Sequence, residues 1–324
     1  MRSHTIVAAV ALTVSVALPL SAQTKQPTAF PTPEGAARAL AHAARADGMD
    51  ELLAIFGTGG EKVLASSDPV TARRNRETFA VAFAEEWRLQ DLAAGRKELV
   101  IGHESWPFPV PLVKTTRGWV FDVVAGKEEI LGRRIGRNEL AVIRICRTYV
   151  RAQQAYGSRG HDGKPAGLYA QRFASDPGTE NGLYWPTKSG QPRSPLGDLV
   201  AQAAEDGQGR DTAATTSAAR TPFHGYHFRI LTAQGKSASG GAKNYVVDGQ
   251  MKDGFALVAW PAEYDASGVM TFVVNQDGVR YQKDLGPDTP AAVEKITRYD
   301  PDGSWRPVSS GAAGPVPKSS AAPK

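Results

Sequence analysis

The chain has 324 residues, 41% of them hydrophobic, with 33 glycines, 22 prolines, one cysteine and a formal charge of +5. That length and apolar content can fill two ordinary cores, and so much glycine and proline excludes a plain helical bundle. A single cysteine excludes an internal disulfide, and a mild positive charge, with bases interleaved among acids along the chain, demands neither nucleic acid nor an anionic membrane as partner.

The N-terminus reads as a secretion signal over residues 1–22: a positive start at Arg2, an apolar run from Thr5 to Leu18, and small residues Ser21-Ala22 before Gln23. The run is short for a bilayer span, and no cysteine follows it for a lipid anchor. The expectation is therefore an exported protein, periplasmic or extracellular, with no membrane span after signal cleavage. Residues 23–31 are polar and proline-rich and read as a linker.

Thr32-Pro33-Glu34 supplies an N-cap, a first-turn proline and a first-turn acid, so a helix starts there and stops at Asp47-Gly48. A second short helix covers Met49 to Phe56, and the glycines from Gly57 to Gly60 read as a turn. Asp68-Pro69 opens a third helix, on which Phe79, Phe83 and Trp87 form an aromatic ridge. Period two then takes over, predicting strands over Glu98–His103, Val110–Lys114 and Trp119–Val124, with the Trp106–Pro111 stretch confined to an edge by its prolines. From Gly126 to Tyr156 runs the longest helix signal. Val142, Ile145, Cys146, Tyr149, Val150 and Gln153 share one face, while Arg144, Arg147 and Arg151 share the other. Cys146, on the inward stripe, reads as a buried and inert thiol.

Beyond this helix come short aromatic segments at Leu168–Phe173 and Leu183–Trp185, then a mobile loop over residues 206–220. Strands follow at Tyr226–Leu231, Tyr245–Val247 and Phe255–Trp260. Val269–Val274 pairs with Val279–Lys283 across the hairpin signal Asn275-Gln276-Asp277-Gly278. Ala291–Tyr299 reads as a last helix, and 309–324 as a disordered tail. The fold class is α+β. Domain one, 32–125, has helices plus a curved antiparallel sheet, a layout that resembles NTF2-like and cystatin-like folds. Domain two, 126–308, has a long helix packed on an antiparallel sheet and resembles the globular part of pilins and pseudopilins.

Longer strings carry a more specific resemblance: Trp106-Pro107-Phe108-Pro109, Arg134-Ile135-Gly136-Arg137-Asn138-Glu139-Leu140, Gly182-Leu183-Tyr184-Trp185-Pro186, and Val258-Ala259-Trp260-Pro261-Ala262-Glu263-Tyr264. From about Phe30 to Val308 the chain is similar to the exported bacterial family known as domain of unknown function 2950. The resemblance implies export, and it brings no reaction, cofactor or catalytic residue.

The constellations that could carry chemistry are sparse. His224 and His227 point to opposite faces of a strand, which disfavours a shared metal. Asp300 to Ser304 lacks the further oxygen ligands of a calcium loop. The run from Lys127 to Glu139 puts Arg133 and Arg137 on one helical face, either gripping an anion or held in surface ion pairs such as Glu129–Arg133. Aromatics beside prolines suggest a contact surface. The candidate ligand or partner residues are thus Trp106, Phe108, Arg133, Arg137, Tyr184, Trp185, Trp260 and Tyr264, with no catalytic residue, metal or cofactor assigned. The expected function is a non-enzymatic binding or assembly module of the cell envelope, meeting an envelope protein or a glycan. The alternative is an envelope hydrolase with its site at the inter-domain seam.

Overall fold

The computed structural model describes residues 26–64, 69–188, 190–205 and 222–309. The segment read as a signal, the cap expected at Asp68, the loop expected over 206–220 and all but the first residue of the expected tail lie outside the described residues. The fold is α+β, in two compact units that meet in sequence at Glu128 and Glu129.

The first unit opens with α1 (Pro33–Arg45), whose N-cap Thr32 accepts a hydrogen bond from the Gly35 amide at 3.1 Å. Its inner face is Ala36, Ala37, Leu40 and Ala43, all buried, and the small side chains let neighbouring backbone approach closely. Then come α2 (Met49–Phe56), α3 (Gly60–Leu64) and α4 (Pro69–Glu85). The glycine-rich stretch expected to be only a turn therefore also starts a short helix. Five strands follow: β1 (Trp87–Ala93), β2 (Arg96–Ile101), β3 (Trp106–Pro107), β4 (Leu112–Thr115) and β5 (Gly118–Phe121). They are ordered β1-β2-β4-β5, with β3 also on β2.

Trp87 corrects the sequence reading, since it leaves the helix and opens β1. Phe83 and Trp87 still stack, with centroids 5.1 Å apart, but across the helix–strand junction. The segment read as a linker is tied down at two places. Thr28 donates to the Ala54 carbonyl at 2.9 Å, and Phe30 exchanges backbone bonds of 2.8 and 2.7 Å with Trp119. Gly118, at φ 127°, allows that pairing, because a Cβ there would sit 2.5 Å from the Phe30 carbonyl oxygen.

The long helix α5 spans Val123–Gly157, starting three residues earlier than expected. The Asp122 carboxylate accepts from the Ala125 amide at 3.1 Å, a cap that shortens β5 and begins the helix. In the second unit α5 is followed by α6 (Gly197–Glu205), which the sequence reading missed. Next are β6 (Tyr226–Leu231), β7 (Ala233–Gln234), β8 (Lys243–Asn244), β9 (Val246–Val247), β10 (Gln250–Met251), β11 (Ala256–Pro261), β12 (Met270–Asn275) and β13 (Arg280–Asp284). The chain closes with α7 (Thr289–Glu294) and β14 (Arg306–Pro307). The main sheet is antiparallel throughout, ordered β14-β13-β12-β11-β6. Its β12–β13 hairpin turns where Asn275 accepts from the Gly278 amide at 3.0 Å. The last helix ends five residues before the expected Tyr299, which instead bonds the Ala233 carbonyl through its amide at 2.9 Å.

The core of this unit joins Val142, Cys146 and Tyr149 of α5 to Leu257, Phe272 and Val274 of the sheet. Two polar groups on that apolar face are fully satisfied. Tyr149 donates to the Ala256 carbonyl at 3.1 Å. Gln153, fully buried, donates to the Ala170 carbonyl at 2.8 Å and accepts from the Ala170 amide at 2.9 Å. That amide clamp fastens the segment after the helix onto the helix itself.

Candidate functional site

The segment after α5 folds back through a turn at His161-Asp162-Gly163, with positive φ at Asp162 and Gly163 and a 2.9 Å bond from the Lys164 amide to the His161 carbonyl. The turn drives His161 inward, leaving it 6% exposed. Its ring stacks on Tyr156 at 4.0 Å and meets Trp185 edge-on at 5.6 Å. Nδ1 lies 2.8 Å from the Glu180 carboxylate and Nε2 lies 3.0 Å from the Tyr156 carbonyl oxygen. Each ring nitrogen thus faces an oxygen that accepts hydrogen bonds, and which nitrogen donates depends on the tautomer. Glu180 is itself positioned: its amide donates to the Asp162 carboxylate at 3.0 Å, and Arg159 approaches it at 4.0 Å while lying over the Trp185 ring. The Tyr156 hydroxyl donates to the Glu180 carbonyl at 2.8 Å. Burial, with Asp162 and Glu180 nearby, pushes its pKa up to about 12.

Beside this histidine opens a recess of about 180 Å³, lined among others by Tyr156, Lys164, Tyr169, Arg172, Asn181 and Gln250. Several of its polar groups are already held. Arg172 grips the Asp176 carboxylate at 2.6 and 2.7 Å, Asn181 donates to the same carboxylate at 2.8 Å, and Gln171 donates to the Gly249 carbonyl at 2.9 Å. The Lys164 ammonium and the Gln250 amide have no side-chain partner among the described residues. They are the groups with hydrogen bonds left to give.

The eight residues singled out from the sequence fall in separate places. Trp106 is 45% exposed on β3. Phe108 packs inward against Phe79 at 5.2 Å and Phe121 at 6.2 Å. Arg133 bonds Glu129 at 2.7 Å, as the four-residue spacing predicts, whereas Arg137 is exposed. Tyr184 is half-buried and bridged to Ala174 by backbone. Trp185 is 8% exposed and forms part of the wall around His161. Trp260 is held between the His227 ring at 5.6 Å and the Arg229 guanidinium at 5.5 Å. Arg229 in turn donates to the Val293 and Ile296 carbonyls, capping the end of α7. Tyr264 reaches the Asp284 carboxylate at 3.3 Å, and burial with that charge raises its pKa. Of the eight, only Trp185 takes part in the His161 arrangement. The sequence reading missed the burial of His161, because its partners Glu180 and Trp185 lie some twenty residues further on with no periodic signal linking them.

Among the described residues no helix is long and apolar enough to cross a membrane, and no three or more His, Cys, Asp or Glu side chains gather as metal ligands. The molecule is thus an α+β protein of two units, with a polar recess in the second. The chain belongs to the family described as Protein of unknown function (DUF2950), whose profile matches residues 27–308. No curated protein and no solved structure matches the chain.

Proposed function

We propose that the protein is an exported, non-enzymatic binding module of the cell envelope, and that the recess beside His161 holds one sugar residue bearing a carboxylate. The observation that carries this reading is the double engagement of His161. A general base needs a free lone pair within reach of substrate, whereas here both nitrogens face protein acceptors and the ring is stacked in place. The histidine acts as a pillar that fixes the wall of the recess. What remains for a ligand is the Lys164 ammonium, which only donates, the Gln250 amide, which donates and accepts, and the ring of Tyr169. That set suits a carboxylate, a hydroxyl and the apolar face of a sugar ring. The volume, about 180 Å³, falls below the roughly 300–1,000 Å³ of drug-sized pockets, in keeping with a single residue. Trp106, 45% exposed on β3, is a candidate anchor for a protein or glycan partner in the first unit.

The test is calorimetric titration of the full mature chain with glucuronate, with glucose as control. Saturable binding of the acid, weakened about tenfold by Lys164→Ala, supports the reading. Hydrolysis of an envelope glycan that disappears in His161→Gln would show catalysis at this recess and contradict the reading. Export rests on the 1–22 signal, and sequencing of the secreted form should begin at or near Gln23. An intact Met1 on a cytoplasmic protein would contradict it.

A further inference from the structure

Between Arg134 and Arg151, α5 turns five arginines to solvent: Arg134, Arg137, Arg144, Arg147 and Arg151 are all exposed. Their spacings of three, seven, three and four keep them on one side of a 3.6-residue helix, over about 25 Å at about 1.5 Å per residue. None of the five has an ion pair or side-chain hydrogen bond among the described residues. The only carboxylate in this stretch is Glu139, and it is turned inward. One of its oxygens accepts from the Val269 and Met270 amides at 3.0 Å each and faces the Tyr226 hydroxyl at 3.5 Å. The acid that balances the arginines on paper is therefore spent on strand β12. The opposite face is fixed by burial of Val142, Cys146 and Tyr149, so the stripe cannot rotate away. Arg147 and Arg151, and likewise Arg134 and Arg137, are like charges on adjacent turns, which weakens a helix on its own account. The fold gains nothing visible from them.

We infer that this face of α5 binds a linear acidic polysaccharide, its carboxylates seated one after another on the guanidinium row. Every cation in the row is arginine, whose planar fork pairs with a carboxylate through two hydrogen bonds where lysine offers a point charge. A bilayer is the poorer match, because a helix lying on lipid sinks its apolar face into the acyl boundary, and here that face is buried against the sheet. Single-stranded nucleic acid is also the poorer match. Its binding surfaces stack bases on aromatic rings, and the one aromatic residue in the stretch, Tyr149, is 1% exposed. The inference does not rest on the recess beside His161. Lys164→Ala should weaken glucuronate binding in the recess and spare polymer binding, so the two readings fail separately.

The experiment measures binding of the full mature chain to polygalacturonate, with neutral dextran, single-stranded DNA and phosphatidylglycerol vesicles as competing probes. The wild type should bind polygalacturonate and not dextran. The triple variant Arg144→Gln/Arg147→Gln/Arg151→Gln should bind about tenfold more weakly or worse, with an unchanged melting temperature. Should the triple variant melt early, Arg134→Gln/Arg137→Gln at the other end of the row gives the same readout. Substituting the same three arginines by lysine should restore only part of the affinity. Absence of binding by the wild type, equal binding by the glutamine variants, or tighter binding of DNA or vesicles overturns the proposal. A lysine variant as tight as the wild type overturns the requirement for guanidinium.

Discussion

The two faces of α5 differ in what their polar groups are given. On the inner face every polar atom that folding removes from water is matched: Tyr149 and Gln153 find backbone partners at Ala256 and Ala170. On the outer face five arginines stand unmatched, and the one acid between them has been drawn to β12. Packing explains the first pattern completely and the second not at all. A residue whose presence is explained by its contacts is there for the fold, and the unmatched row is where function is to be sought.

If that contrast is right, mutations should separate along it. The largest loss is expected at Tyr149, 1% exposed, where Tyr149→Ala removes a core ring and its hydrogen bond and should cost about 3–5 kcal/mol in denaturant titration. Next comes Gln153→Leu, which keeps the volume but strands the amide and carbonyl of Ala170, for about 2–4 kcal/mol. A loss below about 1 kcal/mol would show that the clamp is dispensable.

The thiol of Cys146 gives a smaller, pH-dependent effect. Burial raises its pKa from 9.0 to about 12, an effect that the nearby Arg280 partly opposes. The unfolded chain therefore releases a proton above about pH 9 that the folded chain keeps. Stability is unaffected below about pH 9 and falls as pH rises through about 12. Cys146→Ala should make that fall shallower by about 1.4 kcal/mol per pH unit inside the window. The same burial predicts thiol labelling that is slow in the native state and fast in denaturant. The smallest change belongs to the outer face: Arg151→Ala should alter stability by no more than about 0.5 kcal/mol.

Much of this division was legible in the sequence, because a helix writes its faces into the chain at a 3.6-residue period. Val142, Cys146 and Tyr149 were assigned inward, and Arg144, Arg147 and Arg151 outward, by spacing alone. Charge was not legible in the same way. Acids and bases alternate along the chain, yet Glu139 leaves the surface through bonds to residues about 130 positions away, so interleaving in sequence became segregation in space. Trp87 failed for another reason. The four-residue step from Phe79 and Phe83 continued through it, while Trp87 and Leu89 alternating with Arg88 and Gln90 already carried the period of a strand. The recess was hidden because most of its wall is loop, where neither period applies, and its histidine depends on Glu180 and Trp185.

The most direct test of the unmatched outer face is the salt dependence of polygalacturonate binding. Each guanidinium–carboxylate contact displaces a counterion, so the logarithm of the binding constant should fall linearly with the logarithm of salt concentration. For the full chain the account predicts a steep slope, reduced by about two when Arg144, Arg147 and Arg151 are all changed to glutamine. A slope that is flat, or the same in both proteins, would contradict it.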